Sequence, residues 1–308
     1  MRFAAIDIGS NAVRLLISDV IASSNGVLQA KKNTLIRVPL RLGDDAFLNH
    51  NLSERKTQDL IKTMAAFKNL IEVYKVTKFR ACATSALREC NNGPGVIEQI
   101  RVQLGMEIEI IEGKTEAGLI YSMHAERLLD RRNSYLYIDV GGGSTEISLF
   151  NKGSIAASSS FDVGTVRILD NLDSDASWDA LKKWTKRVTQ NAQDLQAIGT
   201  GGNIMKLYSL AEQKEGTPLT VSRLKTLYNY LNAFSLKERM QVLGLKEDRA
   251  DVIVPAAEIF LALARWAGFK QIYVPKAGLV DGIIQDLTDR FSAAQKTEME
   301  GDGSPLVS

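Results

Sequence analysis

The sequence predicts an α/β protein made of two similar domains that face each other across a cleft. Three observations carry this expectation. First, a short motif occurs twice: Ile6-Asp7-Ile8-Gly9-Ser10-Asn11 followed by the apolar run Ala12 to Val20, and Ile138-Asp139-Val140-Gly141-Gly142-Gly143-Ser144-Thr145-Glu146 followed by Ile147 to Phe150. Laying Ile6 on Ile138 keeps aspartate over aspartate and glycine over glycine. Second, each copy opens the same succession of three strands and then alternating helices and strands. Third, 308 residues suit about two domains.

The elements follow from local pattern. Phe3 to Asp7 is a short apolar run with the length of a buried strand, and Val13 to Val20 is a second. The turn Ser23-Ser24-Asn25-Gly26 leads to a third strand over Val27 to Val38, since Asn-Gly between apolar runs marks a hairpin. Ser53 caps a helix whose apolar positions Leu60, Ile61, Met64, Phe67 and Ile71 keep the helical period. A strand over Phe79 to Ala83, a helix over Gly95 to Leu104, a strand over Glu107 to Ile111 and a long helix over Thr115 to Leu129 complete the first succession. The second has strands over Tyr135 to Asp139, Glu146 to Phe150 and Ser154 to Phe161. Then come a helix over Trp178 to Leu195, a strand over Gln196 to Ile198, a helix over Asn203 to Ala211 and a largely helical stretch from Val221 to Gly268. A strand over Gln271 to Val274 and a helix over Leu279 to Phe291 end the fold, and Gln295 to Ser308 is expected to be a disordered tail. Domain I is expected over 1–116 and domain II over 117–287, with a helix at 288–300 packing back on domain I.

Composition excludes several classes. The chain is 45% hydrophobic and 24% charged with a net charge of +2, so it can bury a core and lacks the basic excess of a bulk nucleic-acid binder. Cys82 and Cys90 have no CxxC spacing and lie far in sequence from His50 and His124, which argues against a zinc site and a disulfide framework. Asp7 interrupts the N-terminal apolar run too early for a signal peptide, and no run approaches a membrane span. A cytoplasmic enzyme that needs neither nucleic acid nor membrane is expected. Trp178, Trp184 and Trp266 fall in helical patterns and read as packing, as does His124.

Both aspartates sit at strand ends, where open α/β sheets bind ligands. A glycine-rich turn lets backbone N–H groups approach phosphate oxygens. Asp7 and Asp139 would repel phosphate, so they make sense with Mg²⁺ or its water shell between carboxylate and phosphate. Read alone, Asp-Gly is also an ordinary turn, and Glu116 an ordinary acid in the first turn of a helix.

Taken together, Asp7 to Asn11 and Asp139 to Glu146 resemble the exopolyphosphatase / guanosine pentaphosphate phosphohydrolase family, within the sugar kinase, Hsp70 and actin superfamily. Further landmarks span nearly the whole chain: Arg41-Leu42-Gly43, Ala83 to Arg88, Glu112-Gly113-Lys114-Thr115-Glu116-Ala117, Gly164 to Arg167, Gly199 to Gly202, Arg249-Ala250-Asp251 and Gly278 to Gly282. The resemblance implies two RNase H-like (actin-like ATPase) domains and Mg²⁺- or Mn²⁺-dependent release of terminal phosphate. Polyphosphate is the expected substrate. Hydrolysis of guanosine pentaphosphate to the tetraphosphate, or non-catalytic sensing of guanosine tetraphosphate or polyphosphate, are the alternatives, and a kinase of the superfamily ranks below them. It further implies Glu116 as the group that orients and deprotonates water, with Arg88 and Glu146 beside it. Gly9, Ser10, Asn11, Gly141, Gly142, Gly143, Ser144, Thr145 and Gly201 would hold phosphate, Asp7 and Asp139 the metal. Arg41, Lys114 and Arg167 are candidate contacts to a longer anion, and Thr84 and Ser85 candidate caps. A homodimer is a family expectation. Three departures are expected to matter: the extra helical C-terminal region of longer members is expected to have no counterpart in this sequence, Gly118 follows Glu116-Ala117 where a larger residue is common, and Val280-Asp281 replaces a commoner basic-acidic pair.

Overall fold

The computed structural model describes residues 1–23, 27–122, 133–152, 154–192, 194–214, 216–275 and 277–301. Its first sheet begins with β1 (Arg2–Ile8), β2 (Val13–Ala22) and β3 (Leu28–Val38), an antiparallel meander. Phe3, Ala4, Ala5 and Ile6 are all fully buried, which is why β1 reads as a continuous apolar run: both of its faces are covered. Helices α1 (Leu42–Asn49) and α2 (Glu54–Val73) follow. Ser53 caps α2 by accepting from the Lys56 amide at 3.3 Å, and Leu60, Ile61, Met64, Phe67 and Ile71 are buried as their spacing requires. The first half continues through β4 (Lys78–Ala83), α3 (Ser85–Glu89), α4 (Gly93–Leu104), the two-residue β5 (Glu109–Ile110) and α5 (Gly113–Ser122). Strand order is β3-β2-β1-β4-β5, with β4 and β5 parallel to β1.

The second half repeats the plan. β6 (Ser134–Val140), β7 (Thr145–Asn151) and β8 (Ser154–Phe161) form the meander. Then come α6 (Thr165–Leu169), α7 (Asp175–Thr189), β9 (Gln196–Thr200), α8 (Gly201–Leu210), β10 (Leu219–Thr220), α9 (Val221–Asn232), α10 (Leu236–Gln241), α11 (Glu247–Ala250), α12 (Ile253–Ala267) and β11 (Gln271–Tyr273). The order β10-β11-β9-β6-β7-β8 places β9 and β11 parallel to β6, as β4 and β5 lie to β1. Each half is thus an open mixed sheet with helices on its faces.

The last helix, α13 (Leu279–Gly301), returns to the first sheet. Its Leu279, Val280, Ile283 and Ile284 pack with Phe3, Ala5, Leu16 and Cys82 on one face, while α2 and α4 cover the other. Phe291 meets Phe3 edge-on at 5.5 Å.

Several sequence expectations are corrected. The tail expected from Gln295 is helical to Gly301, and 302–308 lie outside the described residues. The helix expected over Thr115 to Leu129 is described only to Ser122, so His124 lies outside the described residues, as do 24–26 of the hairpin turn. The helix expected to Leu195 ends at Thr189. Val221 to Gly268 divides into four helices, with a capping box at Ser235 and Glu238 starting α10 and the left-handed Gly268 (φ 82°) closing α12. The short α1 and α6 carry no readable pattern, because eight and five residues are too few to display a period, whereas α3 is the helix expected at Thr84 and Ser85. The tryptophans do pack: Trp178 against Trp266 and Trp184 against Phe161.

Candidate active site

The two copies of the motif fold alike. Gly9 N–H donates to Ala12 O at 3.2 Å, and Gly141 N–H donates to Ser144 O at 2.9 Å, so the same turn closes each loop. The loops abut: a Cβ added at Gly142 would stand 3.0 Å from the Ser10 Cβ. Between them lies a cavity of about 210 Å³ whose wall includes Asp7, Gly9, Ser10, Asn11, Glu116, Asp139, Gly141, Gly142, Ser144, Glu146 and Gly201.

Each carboxylate has its own setting. Asp7, near the end of β1, receives Arg14 Nη1 at 2.5 Å. Asp139, at the same place in β6, receives the Thr200 hydroxyl at 3.2 Å and has no arginine bonded to it among the described residues. Burial, then the nearby Glu146, pushes its pKa up to about 7. Glu146 on β7 accepts from Ser144 Oγ at 2.6 Å and Ser160 Oγ at 2.8 Å, and burial still raises its pKa. Glu116 stands in the first turn of α5. Burial lifts it well above the usual carboxylate range, the charges of Glu146, Asp139 and Asp7 add to this, and Arg88 partly offsets it. Four carboxylates therefore crowd one space, and protons or a cation must relieve them.

The remaining predicted residues divide. Ser10 Oγ and Ser85 Oγ share a 2.9 Å hydrogen bond, and Asn11 Nδ2 donates to Asp248 O at 3.1 Å. Gly201 begins α8 at φ 85°. Arg88 donates Nη1 to Ile111 O at 2.8 Å and reaches Glu116 and Glu146 by charge rather than from the cavity wall. Gly143 and Thr145 lie off the wall too: the Phe47 ring fills the space beside Gly143, and the Thr145 hydroxyl is spent on Val163 O. Arg41 is engaged by Asp44 and Asp251, and Arg167 by Glu89 and the Gly143 carbonyl while stacking 4.3 Å over Phe47. Both tie the halves together, and neither they nor the exposed Lys114 line the cavity. The hydroxyl of Ser85 does not cap α3 but lines the cavity.

Sequence reasoning missed three arginines on the wall: Arg14, Arg37 and Arg249. Arg249 donates to Asn203 Oδ1 at 2.7 Å, and burial, then Arg37 and Arg14, lowers its pKa to about 9. A lone arginine in the apolar run Ala12 to Val20 was the available signal for Arg14. Arg249 stood inside a quoted landmark. Cys82 and Cys90 are buried thiols, pushed up to about 12 and about 11 by burial.

Among the described residues no three acidic or His/Cys side chains close on one metal-binding cluster. Mg²⁺ needs none, since it keeps several waters and is usually held by one or two carboxylates and substrate phosphates. The donor set fits it: carboxylate oxygens crowd the space, and Gly201 leaves open the position where a Cβ would press 2.4 Å from Asp139 Oδ1.

The sequence profile of the Ppx/GppA phosphatase family matches residues 20–291. A bifunctional 3-dehydroquinate synthase/phosphatase of Fusobacterium nucleatum is 27% identical over 91% of this chain and 46% of its own length, so the chain spans about half of that relative. Exopolyphosphatase 1 of Mycobacterium tuberculosis is 24% identical over 100% of this chain and 91% of that protein. A crystal structure of an exopolyphosphatase from Cytophaga hutchinsonii superposes with a TM-score of 0.82 at 22% identity, covering 94% of this chain and 98% of that one, which shows a shared fold.

Proposed function

The chain belongs to the Ppx/GppA phosphatase family, and on that premise we propose that it is an exopolyphosphatase, releasing terminal orthophosphate from inorganic polyphosphate with Mg²⁺ or Mn²⁺. One observation carries the proposal: a cavity between two matching turns is lined both by four carboxylates, Asp7, Glu116, Asp139 and Glu146, and by three arginines, Arg14, Arg37 and Arg249. An anionic chain needs the arginines, and hydrolysis of its end needs the carboxylates.

In this proposal Glu116 accepts the proton of the attacking water. Its raised pKa suits that role near neutral pH, where a base must both be ionised and hold a proton well. Water oxygen attacks the terminal phosphorus, the bridging P–O bond breaks, and the shortened chain leaves with the bonding pair. Glu146, tied by two serine hydroxyls, fixes the orientation of its neighbour Glu116 by charge. Arg88 offsets the negative field at both. Asp7 and Asp139 would hold the divalent cation, which when bound supplies charge neutralisation at the phosphate oxygens. Arg14 and Arg249, with the amides of the two loops, bind phosphate, and an anion would relieve the mutual repulsion of the arginines. We assign two actin-like (RNase H-like) units, 1–116 together with α13, and 117–278, rather than a second unit running to 287, because Leu279, Val280, Ile283 and Ile284 pack on the first sheet; their closure would exclude bulk water.

The test is phosphate release from polyphosphate with Mg²⁺ present and then chelated. Glu116→Gln should lower turnover by about 10²–10⁴-fold while leaving the melting curve intact. Near-normal turnover would remove Glu116 from its role. Guanosine pentaphosphate is the second reading, favoured by the apolar wall residues Leu35, Met205, Leu279 and Val280, which suit a base. Parallel assays with the two substrates separate them.

A further inference from the structure

The carbonyl groups of the two phosphate loops are held by the starts of two short helices. At the first loop, Gly43 N–H donates to Ser10 O at 2.9 Å and Arg41 N–H to Asn11 O at 3.0 Å. At the second, Thr165 N–H donates to Gly141 O at 3.0 Å, Val166 N–H to Gly142 O at 2.8 Å and Arg167 Nε to Gly143 O at 2.7 Å. The start of α1 therefore braces one loop and α6 the other. Each brace carries an arginine, Arg41 immediately before α1 and Arg167 within α6.

Each arginine is a fork that spans the two halves of the chain. Arg41 Nε donates to Asp44 of its own helix at 3.1 Å, while Nη1 donates to Asp251 at the end of α11 in the second half. Arg167 spends Nε on its own loop, while Nη2 donates to Glu89 of α3 in the first half. The ties cross: the brace of the first loop reaches the second half, and the brace of the second loop reaches the first. Each acid also stands beside a cation of the site. Glu89 follows Arg88, and the same helix carries Ser85, which lines the cavity and bonds Ser10. Asp251 comes two residues after Arg249 on the cavity wall, and its Oδ1 accepts from Val252 N–H at 2.7 Å. The seam around the ties is filled. Phe47 of α1 lies 4.3 Å beneath Arg167, and Val166 and Val252 are buried among the apolar side chains of the first half. Arg41 itself is held at φ 51°, a left-handed conformation that disfavours any side chain and persists where the surroundings over-determine it.

We propose that Arg41 and Arg167 are positioning residues: as crossed forks they lock the two phosphate loops in one register and set Arg249 and Arg88 toward the reacting groups. This rests on the phosphohydrolase assignment above. Neither arginine lines the cavity, so each acts through the groups it holds. The planar guanidinium donates along two edges at once, whereas an ammonium in its place keeps the charge as a point on a flexible stem and loses the fork. The segments Arg41 to Gly43, Ala83 to Arg88, Gly164 to Arg167 and Arg249 to Asp251 are on this reading four parts of one joint.

Steady-state phosphate release from tripolyphosphate by the full chain with Mg²⁺ tests the joint, with urea denaturation run on the same proteins. Arg41→Lys and Arg167→Lys should each lower kcat about 10²-fold, the cost of a misplacement of about 1 Å, and leave KM close to the parent's. Arg80 is the control: it forks between Glu109 and Asp286 and lies off the cavity wall. Arg80→Lys should lower the urea midpoint and keep the parent's kcat. In the double variant of Arg41→Lys and Arg167→Lys the stability losses should add, because the two forks share no partner. Its kcat should fall no further than in the slower single variant, because the two forks act as a unit. The proposal is overturned if the two kcat losses multiply, or if Arg80→Lys slows turnover equally. Hydrogen exchange gives a readout without turnover and with milder substitutions. Asp251→Asn in the second half should speed exchange at residues 9–12 in the first, and Glu89→Gln in the first half should speed it at 141–144 in the second, each about tenfold. Exchange that rises only within the substituted half overturns the crossing. Should the parent release no phosphate, the hydrolase assignment fails by itself, and the exchange result alone decides whether the joint stands.

Discussion

Gly201 and Gly202 are adjacent, and a methyl group on either would meet a cavity-lining side chain at 2.4 Å, yet the two substitutions should fail differently. Gly201 sits at φ 85°, a conformation that costs an alanine about 1–2 kcal/mol. Its new Cβ would press on Asp139 Oδ1, and moving that carboxylate breaks the 3.2 Å bond from Thr200, adding about 0.5–1.5 kcal/mol. Gly201→Ala should thus lose about 1.5–3.5 kcal/mol in urea denaturation, and phosphate release should collapse because Asp139 has moved. Gly202 lies inside α8 with no positive φ, and its Cβ would meet Arg249 Nη2, the free end of a flexible side chain. Alanine in a helix gains about 1 kcal/mol over glycine, which offsets the Arg249–Asn203 bond it disturbs. Gly202→Ala should therefore unfold near the parent's urea midpoint and show a raised KM. Equal stability losses in the two variants would refute the backbone argument. Full activity in Gly201→Ala would refute the placement of Asp139 at the reacting centre.

Two further outcomes are expected. Asp139 titrates at about 7 in the folded chain against 3.8 in a model peptide, so folding favours its protonated form. Its stabilising contribution is complete below about pH 3.8 and is lost as pH rises through about 7. Without divalent ions the melting temperature should fall over that window, Asp139→Asn should flatten the fall, and Mg²⁺ should raise the melting temperature more at alkaline than at acidic pH. A pH-independent Mg²⁺ effect would argue against carboxylate ligation. Phe47, 3% exposed, fills the space beside Gly143 and lies beneath Arg167, so Phe47→Ala should cost about 3–5 kcal/mol in urea denaturation. A loss below about 1 kcal/mol would show that the pocket collapses freely.

What the sequence made legible followed from the strength of local signals. The two meanders were readable because β1 and β6 are covered on both faces and their apolar runs are unbroken. The helix α2 was readable because its five buried apolar positions keep one period. The acids Asp7, Glu116, Asp139 and Glu146 were readable as candidates, and the fold brings them to one cavity wall. The cationic wall was not readable in the same way. Arg41 and Arg167 carried landmark positions, but their neutralisation by Asp251 and Glu89 comes from the opposite half of the chain, 210 and 78 residues away. Arg37 enters the cavity only because β3 pairs in register with β2, and Lys32 only because of a one-residue bulge. Neither depends on a motif.

The duplicated motif is equal in shape and unequal in charge, and that inequality follows from one register position. In each half the aspartate lies opposite the residue seven places further on: Asp7 faces Arg14, and Asp139 faces Glu146. The hairpin geometry is shared, so the cross-strand distance is shared as well, but the first pair attracts and the second repels. Arg14 donates to Asp7 at 2.5 Å, a tie that Asp139 lacks. Glu146 leaves Asp139 competing for a proton near neutrality and, with Glu116 beside both, makes a group of acids among which a proton can be held and returned. A symmetric pair of arginines would bind phosphate without a base, and a symmetric pair of glutamates would repel it. The proposed hydrolysis at the end of an anionic chain would draw on one of each. Under the proposed function, arginine in one copy and glutamate in the other at that single cross-strand position would give the two matching turns different tasks, one toward binding and one toward reaction.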